Sequence, residues 1–141
     1  MKAPAAEIGV DALQAALGEL FAPWVQALSL RAESAAPGRV RLHLPVTPAL
    51  VRAGGVLCGQ AMMAAADTAM VLALMTHFGA FRPCTTVQLS TSFLRPLAGQ
   101  DAWVDAVVLR AGKTLAFGEI ELIGARDGRS ACRASTTYAL L

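Results

Sequence analysis

From Ala61 to Met75 the chain reads Ala-Met-Met-Ala-Ala-Ala-Asp-Thr-Ala-Met-Val-Leu-Ala-Leu-Met, and Asp67 is the only charge between Arg52 and Arg82. The run predicts one long helix from about Cys58 to Phe78, ended by Gly79 and apolar on every side. A helix of this kind is buried either by a bilayer or by protein. An Asp at the centre of a membrane span costs about 2.5 to 3.5 kcal/mol, the flanks carry no basic clusters, and everything after residue 84 reads as sheet. Burial by protein, without a membrane, is therefore expected. A carboxylate in such a helix must be paired, protonated or catalytic. The residues at helical spacing from Asp67 are Met63, Ala64, Met70 and Val71, so no local cation explains it. Asp67 is a functional-site candidate first.

The remaining segments point to a sheet around that helix. Val10 to Leu20 has helical spacing of Leu13, Ala16, Leu17 and Leu20, with Asp11 near its start as a cap. Trp24–Glu33 and Arg39–Val46 are strand candidates joined by Ser34 to Gly38, and in the second Val40, Leu42 and Leu44 alternate with Arg41 and His43. Thr47 to Val56 reads as a loop. Four more strands are expected over 85–94, 102–110, 114–123 and 130–140, separated by Pro96–Gly99, Ala111–Lys113 and the Asp127-Gly128 hairpin signal. One long helix with about six mostly antiparallel strands is an α+β arrangement, a curved sheet wrapped around the helix.

A chain of 141 residues supports one domain, 1–141, with 1–22 as an N-terminal helical segment. A net charge of +2 with scattered basic residues excludes a nucleic-acid footprint. Cys58, Cys84 and Cys132 are odd in number and irregularly spaced, and residues 1–7 lack the apolar stretch of a secretory signal, so reduced thiols in a cytoplasm are expected. The two His and three Cys never cluster at metal-ligand spacing, and Gly54-Gly55 is not followed by the Gly-Lys-Ser/Thr of a phosphate loop. The expectation is no metal and no cofactor.

The order Leu57-Cys58-Gly59-Gln60, the helix with Asp67, Thr85 to Pro96 with its Phe-Leu-Arg-Pro end, and Gly112-Lys-Thr-Leu-Ala-Phe117 resembles the hotdog-fold acyl-CoA thioesterases of the phenylacetyl-CoA (4-hydroxybenzoyl-CoA thioesterase-like) type. The resemblance covers roughly residues 39 to 140. In that family a His-Gly-Gly turn opens the central helix and an Asp or Glu follows the His by nine positions, the spacing of Cys58 to Asp67. It implies an acyl-CoA substrate, subunits pairing into one continuous sheet as homodimers or dimers of dimers, the Gly59 N–H as oxyanion donor, and Thr86 as the hydroxyl that positions water or Asp67. The departures are Cys58 for His, Gln60 for the second Gly and Arg52 for the Asn six residues upstream.

Thioester hydrolysis needs a group that activates water or attacks directly, and donors for the developing oxyanion. Asp67 suits the first task, as general base or nucleophile. The start of the helix suits the second, because its free N–H groups and positive dipole end favour an anion. Cys58 has neither His43 nor His77 near it in sequence and reads as a small buried thiol that lines the substrate. Gln60 either donates to the thioester carbonyl or caps backbone groups. Arg95, Arg110 and Lys113 are the cations available to CoA phosphates, although each taken singly reads first as a solvated loop charge, and Arg52 is a further substrate-binding candidate. His43 is expected exposed, and His77 at the helix end caps carbonyls or meets solvent.

Gly59 and Asp67 are eight positions apart on one helix, about 12 Å in height, whereas a shared carbonyl needs both within about 3 Å. One chain cannot complete the site, and an antiparallel two-fold partner would. The reading is an acyl-CoA thioesterase for small or medium acyl groups, aryl groups included. Its rivals are a non-catalytic acyl-CoA-binding hotdog protein and a hotdog enoyl-CoA hydratase, whose Asp and His pair the sequence lacks.

Overall fold

Gly79 stops the long helix where the sequence places its end. Its φ of 78° is left-handed, and its N–H donates to the Met75 carbonyl at 2.9 Å. The computed structural model describes residues 7–141, so most of the stretch on which the secretory-signal reading rests lies outside the described residues. In chain order the elements are α1 (Val10–Glu19), α2 (Pro23–Gln26), β1 (Arg31–Ala36), β2 (Arg39–Leu44), a 3-10 turn (Pro48–Leu50), β3 (Val51–Arg52) and β4 (Val56–Leu57). The long helix α3 (Gly59–Phe78) follows, then β5 (Cys84–Phe93), β6 (Ala102–Ala111), β7 (Leu115–Gly124) and β8 (Ser130–Leu140).

Six strands form one antiparallel sheet in the order β1-β2-β6-β7-β8-β5, and α3 packs on its inner face. This is the hotdog arrangement. Val40, Leu42 and Leu44 from β2, Ala102, Val104 and Ala106 from β6, and Ala116, Ile120 and Leu122 from β7 are buried at alternate positions against the helix. On the helix side Ala65, Ala66, Ala69 and Ala73 are fully buried, and small side chains let helix and sheet approach closely. Gly118 of β7 marks the tightest contact. A Cβ there would lie 2.3 Å from Met70 Sδ and 2.9 Å from the Val107 carbonyl oxygen. Met70 is one turn beyond Asp67, so this contact sets how deep the helix sits at the level of the carboxylate.

The N-terminal part departs from the expected pattern. The strand expected over Trp24–Glu33 is instead the short helix α2 followed by β1, because Pro23 pre-sets the first helical position and the Val25 and Gln26 N–H groups donate to Ala22 O. Ser29, at φ 57°, then breaks the path before Arg31. The α1 N-cap is Gly9, which supplies no side-chain bond, and Asp11 sits within the first turn rather than at the cap. The expected loop over Ser34–Gly38 narrows to a turn at Pro37-Gly38, and Gly38 N–H donates to Thr76 Oγ1 at 3.0 Å, tying this hairpin to the end of α3. The loop over 47–56 contains the 3-10 turn and the β3/β4 ribbon. Cys58 N–H donates to Leu50 O and Leu57 N–H to Leu97 O, which anchors the start of α3.

His43 is not exposed as expected. Its side chain is 16% accessible and its Nε2–H donates to Asp101 Oδ2 at 2.9 Å. The Val46 N–H donates to Asp101 Oδ1, and that bond together with His43 holds the Asp101 carboxyl below the ordinary carboxylate range. The pair pins the end of β2 to the start of β6.

Gly118→Ala is expected to destabilise the protein by about 1 to 3 kcal/mol, because both a flexible and a main-chain neighbour must yield. Urea unfolding followed by circular dichroism reads this, with Gly112→Ala, whose Cβ meets nothing closer than 3.5 Å, as the mild control.

Candidate active site

Twelve of the twenty residues of α3 are buried, and they do not include Gln60, Met63, Ala64, Asp67 or Val71. Those five recur at three- and four-residue spacing, so a helix apolar in composition has one stripe that its own sheet leaves open. Asp67 is half-buried at the middle of that stripe. Its Oδ1 accepts hydrogen bonds from Thr86 Oγ1 at 2.8 Å and from the Tyr138 hydroxyl. The same tyrosine hydroxyl lies 3.0 Å from the main-chain oxygen of Asp67. Among the described residues no donor reaches Oδ2. One carboxylate oxygen is held and the other is open.

Thr86 and Tyr138 face each other across the β5/β8 ladder, which is why both reach one oxygen. Thr86, a sequence candidate, is exposed, while Tyr138 is 2% accessible. Thr68, the other hydroxyl near Asp67 in sequence, instead donates back to the Ala64 carbonyl. Tyr138 was not among the sequence candidates. Its signal was present, since it is the only tyrosine and alternates with Thr136 and Leu140 on the inward face of β8, and a buried phenol needs a partner. Burial, the bond to Asp67 and the charge of Asp67 together push the Tyr138 hydroxyl far above its ordinary 10.0, so it stays neutral and donates. Cys84, next to Thr86 on the same face, has its thiol raised by burial and then by the Asp67 charge.

Gly59 occupies a separate place. It is the first residue of α3, so its N–H has no partner within the helix, and Cys58 before it is extended (φ −71°, ψ 148°) with no side-chain cap. A Cβ on Gly59 would lie 3.3 Å from the Phe93 ring, which is itself 51% exposed. A cleft of about 380 Å³ opens there, lined among others by Gly59, Arg52, Met62, Phe93 and Arg95. Asp67 does not line it. Arg52 and Arg95 thus join Gly59, and Gln60 is exposed in the first turn of α3. Cys58 is half-buried against the core. Arg110 and Lys113 stand exposed at the β6/β7 hairpin, and the Lys113 carbonyl accepts from Arg82. A larger hollow of about 490 Å³ on the outer sheet face is lined by the Arg41–Asp105 ion pair, Glu119, Glu121 and Arg133 and contains none of the candidates. Among the described residues no group of three or more His, Cys, Asp and Glu could hold a metal.

The model of the family described as the thioesterase superfamily matches residues 54–131, more than half of the chain and the part that holds both Gly59 and Asp67. Human acyl-coenzyme A thioesterase 13 is 34% identical over 98 residues, which cover 68% of this chain and 69% of that protein. The crystal structure of zebra fish thioesterase superfamily member 2 superposes with a TM-score of 0.86 at 23% identity, over 96% of this chain and all of that one. The PaaI protein of the E. coli phenylacetic acid degradation operon gives 0.79 at 19% identity, over 91% of each chain.

The single tyrosine makes the carboxylate's surroundings readable. In an alkaline titration followed by tyrosinate absorption, the folded protein is expected to stay silent through the ordinary phenol range near 10.0. An unfolded chain ionises there, so the contribution of Tyr138 to stability is complete below that range and falls as pH rises above it. Asp67→Asn removes the charge and should bring the absorption to lower pH. A band appearing at ordinary pH in a chain still folded by circular dichroism would contradict the hydrogen bond.

Proposed function

The chain belongs to the thioesterase superfamily and is a thioester hydrolase, and from that premise we propose that it hydrolyses small or medium acyl-CoAs, aryl groups included, in the manner of the phenylacetyl-CoA type. The observation that carries the reading is the Asp67 carboxylate, held through Oδ1 by two hydroxyls and open at Oδ2 on an uncovered helix stripe. As general base, Asp67 takes a proton from water while the water oxygen bonds to the thioester carbon. The carbon–sulfur bond then breaks, and CoA leaves with the proton returned by Asp67. As nucleophile, Asp67 bonds to that carbon itself while the carbon–sulfur bond breaks and CoA leaves as thiolate; water then cleaves the resulting anhydride to free acid and the restored Asp67 carboxylate, and the thiolate takes up the acid's proton. In either course the carbonyl oxygen gains charge, and the Gly59 N–H at the positive end of α3 is the donor for it. Arg52 and Arg95 beside Gly59, with Arg110 and Lys113, meet the CoA phosphates.

The site is proposed to form between two subunits. Three features support this: the eight-residue separation on α3 amounts to about 12 Å, the stripe carrying Gln60, Met63 and Asp67 is open, and β5 is an edge strand with apolar Val87 (59% exposed), Phe93 and neighbouring Leu94. Pairing β5 with a second copy would continue the sheet and lay α3 against its counterpart. A dimer of dimers repeats the unit. The reaction needs no cofactor beyond the CoA of the substrate, and the cytoplasm is its proposed location. The rival is a non-catalytic acyl-CoA binder, which Cys58 and Arg52 favour by replacing the family's His and Asn; it would bind acyl-CoA without releasing thiol.

Thiol release from a panel of acyl-CoAs decides between them and identifies the acyl group. Asp67→Asn is expected to keep fold and binding and to lower turnover by roughly two to four orders of magnitude; near-normal turnover removes Asp67 from the reaction.

Gly59→Pro deletes the oxyanion donor at a position that tolerates proline, with Cys58 already in the conformation that a following proline requires and the half-exposed Phe93 free to yield. When this inactive variant and Asp67→Asn are mixed equally and exchanged, half of the dimers join one of each and restore one of two sites. Activity should return to about a quarter of wild type. No recovery, with mixed dimers confirmed by native mass spectrometry, contradicts the shared site.

A further inference from the structure

We propose that Tyr138 is a positioning residue for Asp67, fixing the carboxylate through Oδ1 so that Oδ2 is the oxygen presented to the thioester or to its attacking water. The inference rests on the reading of Asp67 as the reacting group and adds to it the means by which that group is aimed. An aspartate on an open helix stripe has two free side-chain torsions and water on one side, so left alone it swings away. Two hydroxyls oppose this. Thr86 is exposed on the edge strand, whereas Tyr138 is 2% accessible and stands on β8 between two strands, across from Ala116 on one side and Thr86 on the other.

Of the two donors, Tyr138 is therefore the one whose own position is fixed by packing. Its hydroxyl also reaches the main-chain oxygen of Asp67 at 3.0 Å as well as the side chain. Side chain and backbone of one residue are thus referred to a single buried atom. A hydrogen bond from a neutral donor to a carboxylate is about twice as strong as one between neutral groups, and burial keeps the phenol in its neutral, donating form. Misplacement of a reacting group by about 1 Å can cost roughly a hundredfold in rate, so the anchor has kinetic weight.

Tyr138→Phe removes only the hydroxyl. With the acyl-CoA released fastest in the panel, the variant is expected to lose about ten- to a hundredfold in kcat with KM within about threefold. The decisive comparison repeats the change in the Asp67→Asn background, measured at single turnover with enzyme in excess. If Tyr138 acts through Asp67, the second loss is under about twofold. Equal losses in both backgrounds, or an unchanged kcat on Asp67, would overturn the proposal. Should Tyr138→Phe fail to fold, biosynthetic 3-fluorotyrosine replaces the one tyrosine with a ring of nearly the same shape and a stronger donor. It should change kcat more than twofold with Asp67 present and leave it unchanged with Asn; an unchanged kcat in both overturns the proposal. The outcomes separate the two levels. An inactive Asp67→Asn beside a fully active Tyr138→Phe defeats this inference alone, whereas a fully active Asp67→Asn, or a wild type that releases thiol from no acyl-CoA, defeats the functional reading and this inference with it.

Discussion

A carboxylate halfway along an apolar helix must be met by donors, and the arrangement of the sheet follows from where those donors stand. The helix offers none within reach, because Thr68 returns its hydroxyl to the Ala64 carbonyl. They come from β8 and β5, and only because the last strand of the chain lies between β7 and the edge. The depth of the helix is set beside them, where Gly118 has no side chain to hold Met70 away from β7. Packing and chemistry are thus fixed at the same level of α3. A void or a shift there would disturb the carboxylate before it disturbed the fold.

Composition describes α3 as uniformly apolar, yet its surroundings are not uniform. Most of its residues are buried inside the protein, long and apolar enough to cross a membrane though it is, because it is the core helix of a sheet. The uncovered remainder holds Gln60, Met63 and Asp67 in a line. An isolated chain therefore keeps its carboxylate and its helix-start amide in different places, one beside β8 and the other in the cleft under Phe93.

The long helix and the C-terminal strands were legible because local rules settle them. Gly79 ends α3 and β8 spans Ser130–Leu140, both as the pattern places them. Asp67 was legible as a charge without a local partner. That the Tyr138 phenol is its partner was not, since the two lie 71 residues apart and no periodicity records which strand will lie against which helix. The same reason hid the partner of His43, because Asp101 reaches it only through the β2/β6 register. At the N-terminal side, the apolar run around Trp24 suits a strand by composition, and the constraint that overrides it is the fixed φ of Pro23.

Strand β5 reaches both candidate residues of α3, with Thr86 on Asp67 and Phe93 over Gly59. Counted along the chain these two residues are seven apart, an odd number, and in a regular strand an odd interval puts side chains on opposite faces. Both nevertheless face the helix. The register slips between Thr86 and Gln88, where Val87 is left over: Thr86 lies across from Tyr138 and Phe93 from Cys132, an even interval on the partner strand. A single surplus residue corrects the parity of the strand, and without it the hydroxyl beside the carboxylate and the ring above the glycine could not look inward together.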